Sequence, residues 1–308
     1  MDQEVLKQCW FLAGPTAVGK TALSVALAES IGAEIISMDS MAIYQGMDIG
    51  TAKPLPSERG GVAHHMLDIL RPHEAYSVSE FVFSAGRIAE DICQRGSVPL
   101  FVGGTGLYLR AMLRGIFDGP EADWELRRQL EKDVGQHGKQ WLHDELRKVD
   151  PETAIRLHPN DVRRIIRAVE VYRLTGVPLS KQQTQQPLDP TQRPVHVYWL
   201  DPPREWLHDR INLRVDQMME QGLLQETKTL LLADPPPSRT ARQALGYREL
   251  IDHLENGTEL DAAVEQIRTG TRQFAKRQHT WFRNLEECTP VAIDGTESTE
   301  ALVERLTT

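Results

Sequence analysis

Residues 11–27 read FLAGPTAVGKTALSVAL. Within them, Gly14-Pro15-Thr16-Ala17-Val18-Gly19-Lys20-Thr21 matches G-x-x-x-x-G-K-[ST], the loop that cradles phosphates. The context agrees with the letters: an apolar strand over residues 10–13 leads in and a helical run over 21–30 leads out. Backbone N–H groups of such a turn point at phosphate oxygens, helped by the N-terminus of the helix that follows. Lys20 adds a point charge between two phosphates, and Thr21 offers a hydroxyl to a magnesium ion. The loop leaves open which polyphosphate it holds.

The rest of the chain repeats the alternation. AEIIS, residues 33–37, is a second apolar strand that ends at Asp39. Ser77-Val78-Ser79-Glu80 is a capping-box signature opening a helix that stops near Gly96. A third strand, residues 98–102, runs into Gly103-Gly104-Thr105 and another helix. Alternating strands and helices predict an α/β fold: a P-loop NTPase-like parallel sheet flanked by helices. The pattern changes near Gly119-Pro120. Residues 123–175 carry only helical periodicity, with Asn160 as the expected N-cap of the helix over 161–175. A Gln-rich linker over 182–192 follows, and VHVYWL at 195–200 returns to the sheet. The expected organisation is a core over 1–118, an all-helical insertion over 119–194, and completion of the core over 195–308. The tail is read as helices over 204–220, 223–232, 247–255 and 268–285.

Bulk composition removes several classes. The 308 residues carry a formal charge of −9, so any nucleic-acid site must be a local basic patch. The three cysteines, Cys9, Cys93 and Cys288, form no C-x-x-C pair, which argues against a zinc ribbon or a disulfide framework and fits a reducing cytosol. No stretch is apolar enough to span a membrane, and the N-terminus lacks the pattern of a signal peptide.

Several residues carry candidate chemistry. Ligands of open α/β sheets bind at the carboxyl ends of the strands, so Asp39 should face the same crevice as Lys20. It is a candidate general base or magnesium partner, with a turn-capping carboxylate as the structural alternative. Gly103 and Gly104 allow either close approach of a ligand or a tight turn, and Thr105 adds a hydroxyl. Arg210 and Arg214 are four apart and share a helix face, as a diphosphate clamp or as a solvated surface. Two basic clusters stand out against the negative total. One holds Arg163, Arg164, Arg167 and Arg173. The other is the stripe Arg268, Arg272, Lys276, His279 and Arg283, interleaved with Phe274, Trp281 and Phe282. Both suit a phosphate backbone, with a solvated face as the alternative. A GTPase switch is excluded because neither D-x-x-G nor N-K-x-D occurs. A small-metabolite kinase and an RNA-binding NTPase without transfer chemistry stay open.

The loop, Asp39-Ser40-Met41, the run Ile43-Tyr44 with Gly46-Met47-Asp48-Ile49-Gly50-Thr51-Ala52-Lys53-Pro54, Gly103-Gly104-Thr105, His158-Pro159-Asn160-Asp161, Gln243-Ala244-Leu245-Gly246-Tyr247, and Ala275-Lys276-Arg277-Gln278 with Trp281-Phe282-Arg283 occur in this order. Together they resemble the bacterial tRNA dimethylallyltransferases over nearly the whole chain. Ala42 departs from the pattern, standing where many members carry Gln. The resemblance implies transfer of a dimethylallyl group from dimethylallyl diphosphate to N6 of adenosine 37 in tRNA. The loop would then hold the leaving diphosphate with Mg²⁺ through Thr21, assisted by Arg210 and Arg214. Lys20, Asp39 and Thr105 would be catalytic, with Asp39 as the base. It further implies tRNA contacts at Asp39, Ser40, Met41 and Ala42, at Thr105 and Arg127, at Arg163, Arg164, Ile165, Ile166 and Arg167, and at Arg242, Gln243, Ala244, Leu245, Gly246 and Tyr247. The insertion would grip the anticodon stem-loop of the tRNA. A cytoplasmic monomer is expected.

Overall fold

A computed structural model describes residues 1–117, 119–183 and 185–308. Its described residues contain one parallel sheet of six strands: β1 (Trp10–Ala13), β2 (Ala33–Ser37), β3 (His64–His65), β4 (Val98–Gly103), β5 (Val197–Asp201) and β6 (Thr289–Ala292). They lie in the order β3-β2-β4-β1-β5-β6. The chain leaves β1 toward β2 on one side and leaves β4 toward β5 on the other. The carboxyl ends of the adjacent strands β1 and β4 therefore flank a topological switch point, where open α/β sheets form their binding crevice.

Side chains alternate across the strands. Phe11, Ile36, Phe101 and Trp199 face a layer built by the helices Val78–Gln94 and Gly106–Arg114. Leu12, Ile35, Leu100 and Leu200 face the helices Lys20–Ile31, Arg204–Glu220 and Thr299–Thr307. Burial on both faces explains why these strands read as continuous apolar runs. The capping box forms as expected: Ser77 Oγ accepts from Glu80 N at 3.1 Å, and Glu80 accepts from Ser77 N at 2.7 Å. A third cluster joins Ile43, Tyr44 and Met47 to the helices Leu223–Leu231, Tyr247–Asn256 and the first half of Leu260–Arg283.

The chain divides into two compact units, residues 1–114 with 187–308, and residues 115–186. The expected boundary at 118 falls on Asp118, outside the described residues, as does Thr184 within the Gln-rich segment. At the far end, residues 187–194 belong to the sheet unit rather than the insertion. Leu188 packs on the core, and Arg193 ties Leu188 O (2.7 Å) to Glu286 (2.9 Å). The smaller unit is helical: Trp124–His137, Lys139–Val149, Pro151–Arg156, Val162–Thr175 and Leu179–Gln182. Its fourth helix starts one residue later than expected. Asp161, not Asn160, is its N-cap, and Asn160 N instead bonds to His158 Nδ1 at 3.2 Å. Sequence patterning does not reveal β3, β6 or the terminal helices Gln3–Gln8 and Thr299–Thr307. The strands are short, and β6 is an edge strand with only Val291 buried.

Two backbone segments cross closely where β4 ends. A Cβ on Gly103 would sit 2.4 Å from Met38 O, and Met38 N donates to Val102 O at 2.7 Å. Gly103→Ala therefore forces β2 and β4 apart. It should destabilise the protein by about 1–3 kcal/mol, read as a lower urea midpoint at unchanged slope. A midpoint equal to the parent's would show that the crossing has room for a methyl group.

Candidate functional site

The turn after β1 departs from ordinary backbone geometry. Ala17 has φ 65° and Gly19 φ 100°, both left-handed. Such alternation turns successive N–H groups to one side, a concavity suited to an anion. Lys20 folds over it, and Nζ donates to Gly14 O at 2.9 Å and Pro15 O at 2.7 Å. Part of the side chain faces the crevice, but crowding by protein and then the Arg214 guanidinium push its pKa down to about 7 against the opposing pull of Asp39. Arg210 Nε donates to Ala17 O at 2.8 Å, and Arg214 reaches Thr16 Oγ1 at 3.4 Å. The two arginines thus form a clamp on the loop, not a solvated face. Burial, and then Arg210 beside it, also hold the Arg214 pKa below its usual value. Lys20, Thr21, Asp39, Arg210 and Arg214 all line one cavity of about 1050 Å³.

Asp39 sits just beyond β2. Its Oδ1 accepts from Met41 N (2.7 Å) and Ala42 N (3.1 Å), which fixes the carboxylate and leaves Oδ2 outside that turn. Thr105 acts from behind: its N–H donates to Met38 O at 3.2 Å and its Oγ1 accepts from Ser40 N at 3.3 Å. It orients the Asp39 turn. Gly104 lines the cavity and also leaves room for Gln278, whose Nε2 a Cβ there would meet at 2.2 Å. Gln278 is a site residue that sequence reasoning passed over. Only 5% exposed, it accepts from Thr16 N at 2.9 Å and donates to Gly104 O at 2.9 Å. One amide thereby joins the turns after β1 and β4.

Other expected site residues are arranged differently. Ile165 and Ile166 are core residues of the helical unit, 0% and 4% exposed, so their side chains cannot reach tRNA. Arg127 and Arg167 both bind the carboxylate of Glu170, whose side chain is fully buried. Arg127 does so through two bonds of 2.7 and 2.8 Å, and Arg167 through one of 2.6 Å. Burial alone pushes the Glu170 carboxyl up, but the two arginines outweigh it and hold it below its usual range. Arg163 and Arg164 stay exposed on the same helix, Arg164 against Asp161 at 3.2 Å. Arg242 pairs with Glu255 at 2.6 Å; Ala244 and Tyr247 are core; Gln243 and Leu245 are half-buried and Gly246 is buried.

The basic stripe is paired in part, while Lys276 and Arg283 stay exposed. Arg268 pairs with Asp216 and Glu265, Arg272 with Glu265 (3.0 Å) and Asn212 (2.7 Å), and His279 with Asp201 (2.8 Å). Phe282 is core, and Trp281 packs over Gly106. Glu265 lies on the same helix, but Asp216 and Asp201 come from other segments, so their proximity is invisible in the local sequence. No helix among the described residues is long and apolar enough to cross a membrane.

Fold and site together define an α/β protein with a phosphate-type loop, fit to hold a polyanion where a parallel sheet ends. The family model of the IPP transferases matches residues 42–285. The tRNA dimethylallyltransferase of Symbiobacterium thermophilum is 49% identical over 296 residues, covering 96% of this chain and 92% of its own. That of Halothermothrix orenii is 46% identical over 277 residues, covering 89% and 84%. The solved full-length tRNA isopentenylpyrophosphate transferase of Bacillus halodurans superimposes with a TM-score of 0.71 at 40% identity, over 98% of this chain and 95% of that one. A eukaryotic dimethylallyltransferase acting on tRNA gives 0.77 at 28% identity, over 96% and 77%. The chain belongs to the IPP transferase family and, within it, to the tRNA dimethylallyltransferases; it is an enzyme.

The lowered Lys20 pKa has a measurable outcome. An anion favours the charged ammonium, so diphosphate binding raises the Lys20 pKa and draws in a proton wherever the empty site holds Lys20 neutral. With a pKa of about 7 in the empty site, binding should take up about one more proton at pH 8 than Lys20→Met does, and almost none extra at pH 6. Calorimetric titration of inorganic diphosphate in buffers of different ionisation enthalpy measures this. Equal uptake by both proteins at pH 8 would return Lys20 to ordinary lysine behaviour.

Proposed function

We propose that this enzyme moves the dimethylallyl group of dimethylallyl diphosphate to N6 of adenosine 37, in tRNAs that read codons beginning with U. The products are diphosphate and N6-(dimethylallyl)adenosine. The observation that carries the reading is the cationic cluster on the loop: Lys20, Arg210 and Arg214 line the cavity beside Asp39, and the lining also includes Lys53, Asp48 and Glu58. Three cations gathered on one loop suit a diphosphate leaving group. Ile49, Leu55, Leu213, Met218 and Phe274 line the same cavity with apolar surface, which suits a five-carbon prenyl chain. The clamp comes from a single chain, in keeping with a monomer.

In this mechanism the C1–O bond to diphosphate breaks as the C1–N6 bond forms. The two guanidinium groups, the Lys20 ammonium and the loop N–H groups take up the charge that develops on the departing oxygens. The lone pair of an adenine amine is delocalised into its ring, so N6 must lose a proton as the bond forms. Asp39, held through Oδ1 by two backbone N–H groups, offers Oδ2 to accept it. The adenine must leave its stack to reach the cavity. The donor set fits magnesium as an ion shared with phosphate: Thr21 lines the cavity, and the described residues hold no cluster of three His, Cys, Asp or Glu that would bind it alone. When bound, the ion would neutralise part of the diphosphate charge.

Asp39→Asn keeps the shape but accepts no proton at neutral pH. Single-turnover transfer at saturating tRNA should fall by roughly 10²–10⁴, with tRNA affinity little changed in a parallel titration. Parental turnover would move the base elsewhere; a surviving rate with a shifted magnesium requirement would make Asp39 a metal partner.

Arg163 and Arg164, exposed together in the first turn of the helix Val162–Thr175 as Arg173 is in its last, suit tRNA phosphates. Replacing both with Gln should weaken tRNA binding and flatten its salt dependence by about one unit of slope per lost contact. Diphosphate affinity should not move. An unchanged salt series would make them a solvated face.

A further inference from the structure

One wall of the cavity is formed by residues 48–55, with Ile49, Thr51 and Lys53 among those that face it. Its far end is pinned by Lys53, whose buried ammonium donates to Tyr44 O (2.8 Å), Asp48 Oδ1 (2.5 Å) and Asp68 Oδ1 (2.5 Å). Its near end hangs on a residue from a distant helix. The Glu226 carboxylate accepts from three successive backbone N–H groups: Asp48 (3.1 Å), Ile49 (2.9 Å) and Gly50 (3.2 Å). It also accepts from Tyr247 Oη at 2.5 Å. Three consecutive N–H groups aimed at one point form an anion nest, here filled by a side chain of the protein itself. Charge-assisted bonds of this kind are the strong ones.

Tyr247 fixes the same wall by contact. Its ring lies so close to the backbone that a Cβ on Gly50 would come within 2.4 Å of Cε2. Tyr247 is 0% exposed, and neither it nor Glu226 lines the cavity. Neither side chain can therefore touch a ligand there, and Tyr247 cannot meet tRNA in the way the resemblance implied.

We propose that Glu226 and Tyr247 are positioning residues for the transfer reaction, setting the wall of residues 48–50 at the distance from the cationic clamp that brings acceptor and prenyl donor together. The inference rests on the dimethylallyl transfer proposed above. The clamp itself is anchored elsewhere, on the loop carbonyls and the helix Arg204–Glu220. Disturbing the wall should therefore impair transfer and spare diphosphate binding.

Glu226→Gln replaces one accepting oxygen with an amide that cannot accept from backbone N–H groups. Displacement of reacting groups by about 1 Å costs on the order of 10² in rate. Single-turnover transfer at saturating tRNA should fall by that order, while the dissociation constant for inorganic diphosphate stays at the parental value. Tyr247→Phe keeps the ring against Gly50 and removes only the hydroxyl; it should lower the same rate by roughly tenfold with diphosphate affinity again intact. If Glu226→Gln does not fold, Tyr247→Phe decides alone. Parental transfer rates in both variants, or a loss of diphosphate affinity in step with transfer, would overturn the positioning role. Absence of dimethylallyl transfer by the parent protein is a separate result, and it would overturn the proposed function instead.

Discussion

Three cations, Lys20, Arg210 and Arg214, gather on the loop at the end of the sheet beside Asp39, and much of the surrounding structure answers the repulsion among them. Burial and then Arg214 lower the affinity of Lys20 for its proton, and burial and then Arg210 lower that of Arg214, which is the signature of charge assembled for something else to neutralise. Peptide carbonyls stabilise the array: Gly14 O and Pro15 O take the ammonium, and Ala17 O takes Arg210. Those bonds hold only while the loop keeps its left-handed turns at Ala17 and Gly19. Gln278 in turn fastens the loop to the neighbouring strand end. The anion site is thus preorganised by main-chain dipoles and one buried amide, which lowers the cost of ordering it when a ligand arrives.

Away from the clamp, glutamates are the recurrent structural device. Glu226 gathers three N–H groups and a phenol, Glu170 two guanidinium groups and Asp123 N, and Glu287 the fork of Arg114 at 2.7 Å on both oxygens. For Glu170 and Glu287 burial raises the carboxyl pKa, and the paired arginines outweigh it. Removing one partner from such a pair would leave a buried charge uncompensated, a loss of about 3–5 kcal/mol. Each of these carboxylates fixes backbone or side chains drawn from separate segments. They specify geometry where apolar packing alone would tolerate slippage.

The motifs shared with the family take on different physical meanings once placed. Thr16, Ala17, Gly19, Lys20, Thr21 and Asp39 face the cavity and can act on a ligand directly. Gly50, Gly103 and Gly104 are short of side chain because Tyr247, Met38 O and Gln278 occupy the space. Ile165, Ile166, Ala244 and Tyr247 are core. A recognisable motif therefore mixes groups that meet substrate with groups that hold those in place, and only burial and partner lists separate the two.

The sequence by itself determined the parts whose causes are local. The phosphate-type loop announces itself because strand, glycines, lysine and helix are contiguous. The strands β1, β2, β4 and β5 announce themselves because burial on both faces leaves unbroken apolar runs, and Ser77 and Glu80 because a capping box closes within one turn. The shared face of Arg210 and Arg214 follows from helical spacing alone. Tertiary structure decided everything that depends on which distant segment comes near. Thr16 meets Gln278 across 262 positions, and Gly50 meets Glu226 across 176. Arg268, at the head of the basic stripe, is paired with Asp216 of another helix. The strand β6 exists because β5 presents an edge for Pro290 and its neighbours to pair with, not because its own sequence alternates. Periodicity records that a face is buried; the chain's topology alone selects what buries it.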